Sequence, residues 1–338
     1  MKFRSPRRIV RGAIAVGTIL SLALLGQTPL AQAGTPGLPR LNITDVYVTG
    51  VSSGGFMATQ LQVAYSGTFA GAGIIAAGPY GCAQSTMTGI VSCEVGISLP
   101  ALELQAVTWS AQGKIDPIAN LANKPVYAYH GALDPVVNTA VSDAGVSFYQ
   151  DFGAKTQYHN WDAAGHSWVT PYGVVACPLT SAPYLNNCGN DPEGEMLTHW
   201  LGRVNAPNTG SSTGTLSWYD QNRYAPGGNA PALSMDTTGM LYTPSSCAVG
   251  RACKLVVALH GCNSGQYQFG DKFPKLGNLD TYADTNNLVV LYPQAIASNV
   301  PDNPQGCWDW VGYDGSNYAT HGAPEMVAIT NMVHALGR

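Results

Sequence analysis

Charge is scarce in this 338-residue sequence: Asp, Glu, Lys and Arg make up 11% of it, against 45% hydrophobic residues, 39 glycines and 22 prolines. Such a chain has little use for long solvated helices, and its apolar fraction argues against disorder; a loop-rich globular protein is expected. No charge block and no internal repeat occur. No Cys-x-x-Cys, His-x-x-x-His or His-Glu-x-x-His spacing is present either, so no zinc site is expected, and nothing points to another metal or to a cofactor. Beyond the N-terminal region no apolar run is long enough to span a bilayer.

The basic residues that do occur are unevenly placed. Lys2, Arg4, Arg7, Arg8 and Arg11 precede an apolar run from Ala13 to Leu25, then Pro29 and the small-residue triplet Ala31-Gln32-Ala33. That order is the form of a secretory signal peptide over residues 1–33. Removing it takes five of the 16 basic residues and none of the 20 acidic ones, so the mature chain carries about −9 rather than −4. A basic footprint for nucleic acid is missing, and so is a polybasic patch for anionic lipid; neutral partners are expected, with no nucleic acid and no membrane.

All eight cysteines fall in the mature part, an even number in a chain expected to be exported, which reads as disulfides. Sequential pairing is expected: Cys82 with Cys93, Cys177 with Cys188, Cys247 with Cys253, and Cys262 with Cys307. The first three pairs would each staple a short loop.

Strand-like and helix-like segments alternate along the chain. Strands are expected at 44–49, 73–77, 124–130, 156–161, 216–224, 240–243, 254–259 and 288–292, and helices at 56–65, 144–152, 194–201, 276–285 and 324–336. This alternation predicts an α/β fold with a mostly parallel sheet flanked by helices. The polar segment 205–215 reads as a connection, yet neither half looks like a complete fold.

Gly50-Val51-Ser52-Ser53-Gly54 falls between a strand and a helix, the setting of a nucleophile elbow that lifts Ser52 Oγ clear of the backbone. A serine hydroxyl needs a base, and the base needs an orienting carboxylate. Among seven histidines, His166 stands in a loop just after a strand and is the expected base. His159 is expected within a strand, His199 and His334 within helices, and His321 in a loop. His130 ends a strand whose following turn, Gly131-Ala132-Leu133-Asp134-Pro135, offers Asp134 as the acid; Asp162 competes for that role. The order Ser52, Asp134, His166 is that of an α/β-hydrolase. The oxyanion is expected on the N–H groups of Ser53 and of Cys262, the latter in the turn Leu259-His260-Gly261-Cys262. A His-Gly loop usually precedes the elbow, whereas here it follows the catalytic histidine. A circularly permuted α/β-hydrolase fold in a single domain, residues 34–338, accounts for that order.

Gly50–Ala58, Ala164-Gly165-His166, Leu259–Cys262, Tyr292-Pro293-Gln294-Ala295 and Gly306-Cys307-Trp308-Asp309-Trp310 together resemble the secreted poly(3-hydroxybutyrate) depolymerases with a permuted catalytic domain, in their single-domain form. The resemblance covers nearly all of the mature chain. It implies an extracellular serine esterase, acting without a cofactor on a water-insoluble polyester or its oligomers; a monomer is expected. It assigns Ser52, Asp134 and His166 as the triad, and Ser53 and Cys262 as the oxyanion hole. Trp308, Trp310, Tyr313, Trp168 and Tyr80 are expected along the substrate groove. Two other functions fit the same features: a feruloyl or acetylxylan type esterase, and a non-catalytic secreted polymer-binding protein.

Overall fold

Strand β1 (Ile43–Val51) lies in the middle of the molecule. A computed structural model describes residues 35–83, 93 and 97–338; the expected signal peptide lies outside them. Around β1 are β2 (Phe69–Ile75), β3 (Pro125–Tyr129), β4 (Lys155–His159), β8 (Thr215–Asp220), β9 (Thr238–Thr243), β10 (Cys253–Leu259) and β11 (Leu288–Tyr292). They form one eight-stranded sheet in the order β4-β3-β2-β1-β10-β11-β9-β8. Every pairing is parallel except those of β9, which runs antiparallel to both β11 and β8. A second, three-stranded sheet is made of β5 (Trp168–Val169), β6 (Val175–Ala176) and β7 (Leu185–Asn187).

The central strands are continuous apolar runs because they are covered on both faces. Along β10, Leu255, Val257 and Leu259 enter one core while Val256 and Ala258 enter the other. Helices α1 (Ser53–Ala64), α2 (Leu99–Ala111), α3 (Thr139–Asp151) and α6 (Pro324–Leu336) pack on the first face; α4 (Pro192–Leu201) and α5 (Leu279–Asn286) pack on the second. All twelve residues of α1 are buried, so the helix that follows the elbow is held between the sheet and its neighbours. Each buried Val or Leu in these layers contributes roughly 1.5–3 kcal/mol. Among the described residues no helix is long and apolar enough to cross a membrane.

Several boundaries differ from the sequence expectation for local reasons. Helix α3 starts at Thr139 rather than 144 because the Asn138 side chain accepts from Ala140 N–H at 3.0 Å and caps it. Strand β8 ends at Asp220, not 224, because the Asp220 carboxylate accepts from Asn222 N–H at 3.0 Å and starts a 3₁₀ turn over Gln221–Arg223. Strand β2 begins at Phe69, four residues before the expected start. Its glycines disguise it, yet a Cβ on Gly71 would lie 2.6 Å from Pro125 O of the neighbouring strand. Helix α2 and the three-stranded sheet were not expected.

The cysteines are joined as Cys82–Cys93, Cys177–Cys188, Cys247–Cys253 and Cys262–Cys307. The segment 202–214 leads from α4 to β8 and is tied to α5: Asn208 Nδ2 and Thr213 N–H donate to Asp284 at 2.8 and 2.9 Å.

The register is what places the site. Gly50 pairs with both Leu259 of β10 and Ile74 of β2, so the elbow and the His260-Gly261-Cys262 turn leave the sheet side by side. Ile75 pairs with Tyr129, and Tyr129 with His159, which sends the loops bearing Asp134 and His166 out at the same end. The C-terminal edge of a parallel sheet, where the chain continues to opposite sides, is where such folds bind ligands.

Candidate active site

Ser52 sits at φ 58°, ψ −126°, a left-handed conformation that costs a serine on the order of 1–3 kcal/mol. Its surroundings enforce it: Ser52 N–H donates to Ile75 O at 2.9 Å, and Phe56 N–H donates to Ser52 O at 3.0 Å. The flanking glycines are steric requirements. A Cβ on Gly50 would stand 2.3 Å from Gly54 O, and one on Gly54 2.4 Å from Leu259 O. The Gly-x-Ser-x-Gly pattern is therefore what lets β1, α1 and β10 meet around the half-buried Ser52.

Asp134 follows β3 and its side chain is fully buried. Its Oδ1 accepts from the N–H groups of Val136 and Val137 at 2.8 and 3.0 Å, and its Oδ2 faces His166 Nδ1 at 2.7 Å. Burial pushes this carboxyl up; the imidazole and the two backbone donors outweigh it and hold the group below its usual range. His166 is itself fixed by a backbone N–H bond to Thr180 Oγ1 at 2.8 Å. With Nδ1 engaged by the carboxylate, Nε2 is the nitrogen left for a serine proton. Asp162 is occupied elsewhere: it accepts from Tyr129 Oη at 2.8 Å and from Asn190 Nδ2 at 2.5 Å, and lies 3.0 Å from His159 Nε2.

Ser53 is the first residue of α1, so its N–H has no partner within the helix. The Cys262 N–H donates to no backbone acceptor among the described residues. Between the two, a Cβ on Gly261 would come within 3.2 Å of Ser52 Cβ, which shows how closely this turn covers Ser52. His260 holds the turn from inside. It is 1% exposed, its Nδ1 lies 2.7 Å from Gly261 O, and its Nε2 accepts from Ala295 N–H at 3.0 Å. Burial lowers its pKa from 6.5 to about 4, in keeping with a neutral ring that donates at one nitrogen and accepts at the other.

Two adjoining cavities share Ser52, Val136, Cys262 and Gln305. One, of about 420 Å³, is apolar and bordered by Phe56, Val137, Val141, Trp310, Val311 and Tyr313. The other, of about 220 Å³, contains His166 and is bordered by Ser167, Thr180, Tyr184, Asn263 and Ser264. Val136, Val137 and Gln305 were not singled out in the sequence. The apolar pair directly after Asp134-Pro135 was the available signal for the first two.

The aromatic expectations divide. Trp310, stacked on Phe56 at 4.1 Å, and Tyr313 line the larger cavity. Trp308, Trp168 and Tyr80 do not, and their assignment to the groove is corrected. Trp308 is fully buried and donates Nε1–H to His260 O at 3.0 Å, bracing the His260-Gly261-Cys262 turn from below. Trp168 packs edge-on against Phe273 in the core and borders only a cleft of about 10 Å³. Tyr80 is buried with its hydroxyl donating to Ala319 O. Among the other histidines, His130 is buried against Ser142 and Thr139, and His321 meets Ala64 O and Asp116.

A mainly parallel sheet, helices on both faces, and an elbow serine with a histidine–carboxylate pair on the loops at one end define an α/β-hydrolase-type fold. A family model described as "Esterase PHB depolymerase" matches residues 237–338. The chain is 37% identical over 336 residues to a polyhydroxybutyrate depolymerase of Talaromyces funiculosus, covering 93% of this chain and 96% of that protein. It is 40% identical over 333 residues to a poly(3-hydroxybutyrate) depolymerase of Delftia acidovorans, of whose length it spans 65%. Two solved structures superpose closely, each covering 89% of this chain and 98% of theirs. They are a PHB depolymerase from Penicillium funiculosum (36% identity, TM-score 0.81) and a serine-to-alanine PHB depolymerase complexed with an R3HB trimer (35% identity, TM-score 0.82). The chain belongs to the poly(3-hydroxybutyrate) depolymerase family, a family of esterases.

Proposed function

We propose that this chain is an exported serine esterase that cleaves poly(3-hydroxybutyrate) into short 3-hydroxybutyrate oligomers through an acyl-enzyme, acting as a monomer. The observation that carries the reading is the elbow serine, Ser52, bordering both the cavity of His166 and an apolar cavity large enough for methyl-bearing acyl units. Ser52 Oγ attacks the ester carbonyl while His166 Nε2 takes its proton, and buried Asp134 stabilises the imidazolium that forms. The tetrahedral oxyanion is received by the Ser53 and Cys262 N–H groups, which are placed before charge develops. Collapse breaks the ester C–O bond, and His166 returns the proton to the departing alcohol oxygen. Water activated by the same imidazole then hydrolyses the acyl-enzyme. Because the leaving oxygen must reach His166, the leaving chain lies in the smaller cavity and the acyl chain in the apolar one.

Export is supported by the four disulfides, which persist in oxidising compartments. A permuted hydrolase domain is supported by two contacts between the start of β1 and the end of the chain. Leu41 N–H donates to Leu336 O at 2.8 Å, and Arg338 Nη1 donates to Thr44 O at 2.6 Å. The test of the reaction is clearing of a poly(3-hydroxybutyrate) suspension. Ser52→Ala is expected to lose about 10⁶-fold in kcat while its circular dichroism is unchanged; clearing at the wild-type rate would overturn the mechanism.

A further inference from the structure

The wall of the apolar cavity is segment 302–313, which contains no helix or ladder strand and still presents Asn303, Cys307, Trp310, Val311 and Tyr313 to the acyl side. What holds this irregular wall is a chain of buried polar contacts that ends on Glu325, in the first turn of α6. Asn303 bonds both backbone groups of Cys307, at 2.8 and 2.9 Å. Tyr313 Oη stands 2.9 Å from Cys307 O and 2.5 Å from Glu325 Oε1. Glu325 Oε2 accepts from Asp309 N–H at 2.6 Å. Asp309 in turn accepts from the N–H groups of Gly312, Tyr313 and Asp314 at 2.6, 2.9 and 3.0 Å.

Counting protons decides the state of Glu325. A phenol has one hydrogen to donate, yet Tyr313 Oη is within bonding distance of two oxygens. If it donates to an ionised Glu325, its contact with Cys307 O places two acceptors face to face. If Glu325 carries a proton, its O–H donates to Tyr313 Oη, the phenol donates to Cys307 O, and every contact holds one hydrogen.

We propose that Glu325 is a positioning residue for the acyl cavity: held as a neutral carboxylic acid, it joins Tyr313 to Asp309 and so fixes the wall against which the acyl chain packs. The charged and titratable groups facing it are Asp309 and Tyr313 from the wall and Asp314 directly after it; from α1 the neutral Gln60 donates to Asp309 O at 3.0 Å. No Lys, Arg or His forms an ion pair with it among the described residues. Burial, and then the Asp309 charge, push its carboxyl well above the ordinary range. The helix N-terminus favours an anion there, but that attraction is small beside the cost of a second carboxylate in one dry site. Burial raises the Asp309 carboxyl as well, but the N–H donors of Gly312, Tyr313 and Asp314 work against that rise, so Asp309 is the member of the pair better equipped to hold a charge.

The inference rests on Ser52 marking the reaction centre, and its test separates the two. In Glu325→Gln the amide N–H₂ replaces the acid proton toward Tyr313 and the carbonyl still accepts from Asp309, but nothing ionises. Urea unfolding is followed from pH 5.5 upward. The unfolded wild type sheds the Glu325 proton while the native state keeps it, so its unfolding constant should rise tenfold per pH unit relative to that of Glu325→Gln. A stability difference that does not change with pH would mean an ionised native Glu325 and would overturn the proposal. On p-nitrophenyl butyrate, Glu325→Gln is expected to keep KM within about twofold. Glu325→Ala, which strands Asp309 N–H and leaves Tyr313 Oη tied only to Cys307 O and Asn303 Nδ2 within the wall, should raise KM at least fivefold with a smaller change in kcat. Equal impairment of the two variants would also overturn it. Absence of ester turnover in the wild type would strike the reading of Ser52 alone, and the unfolding arm would still decide the state of Glu325.

Discussion

His260 illustrates how much one side chain in this site does without touching substrate. Its ring lies between Gly261 O and Ala295 N–H, and its own carbonyl receives the Trp308 indole. The ring must be neutral for the Ala295 bond to exist, because a protonated imidazole has no acceptor. The sign of the pH effect follows. The unfolded chain binds a proton below about 6.5, whereas burial delays protonation of the folded chain to about 4. Stability tied to this residue is complete above pH 6.5 and is lost as pH falls from there toward 4, by roughly 3 kcal/mol. Urea unfolding of the wild type and of His260→Gln should therefore converge across that window, the variant having the flatter dependence. Parallel curves would contradict the neutral-ring arrangement.

At the scale of elements, the His260-Gly261-Cys262 turn, the proposed oxyanion site, depends on partners far away in sequence. Cys262 is bonded to Cys307 across 45 residues, which joins the turn to the wall of the apolar cavity. Opening that loop by Cys262→Ser with Cys307→Ser is expected to cost about 4 kcal/mol by the loop-entropy relation. Freed from its anchor, the Cys262 amide should also lose part of its oxyanion role, so kcat on p-nitrophenyl butyrate should fall 10- to 100-fold while KM changes little. Paired urea and kinetic measurements check both. The elements were legible to different degrees. Apolar runs such as Leu288–Tyr292 read as strands because both faces are buried, whereas α4 starts at Pro192, two residues before the expected 194, because the Asp191 side chain accepts from Gly194 N–H and caps it. Helix α2 passed unread because its apolar residues, among them Leu99, Leu102, Leu104, Ala106 and Val107, run round the whole helix rather than along one face, Leu104 and Val107 lying exposed while only Leu102 and Ala106 are buried. Likewise β5, β6 and β7, two or three residues each, exist only through mutual pairing.

For the whole molecule, the meeting of Leu41 with Leu336 and of Arg338 with Thr44 makes the proposed permutation testable. A chain opened within 205–214, with Arg338 joined to Leu41 by a short glycine-serine linker, should fold and keep esterase activity within about tenfold. The linker closes a gap already bridged by hydrogen bonds, and the opened segment lies in no sheet, so little closure entropy is at stake. An insoluble product from a soluble parent would count against it. Opening β10 instead should abolish folding, since that strand separates β1 from β11 and feeds both cores.

The triad candidates, the proposed oxyanion turn and three of the four cysteine pairs were legible because each needs a particular residue type in a particular local setting: a glycine-flanked serine after a strand, a carboxylate and a histidine just past strand ends, cysteines bracketing short loops, with Cys262 and Cys307, 45 residues apart, left as the remaining pair. Local covalent geometry and steric limits are written in the sequence itself. Which aromatics line the cavity could not be read the same way. Trp308 and Trp310 are two residues apart with the same chemistry, yet one is enclosed beneath His260 and the other stacks on Phe56 at the cavity surface. The bonding of Glu325 to Tyr313 and Asp309 was equally hidden. Burial and the protonation it imposes arise from segments brought together only when the sheet closes, so those assignments belong to the tertiary structure.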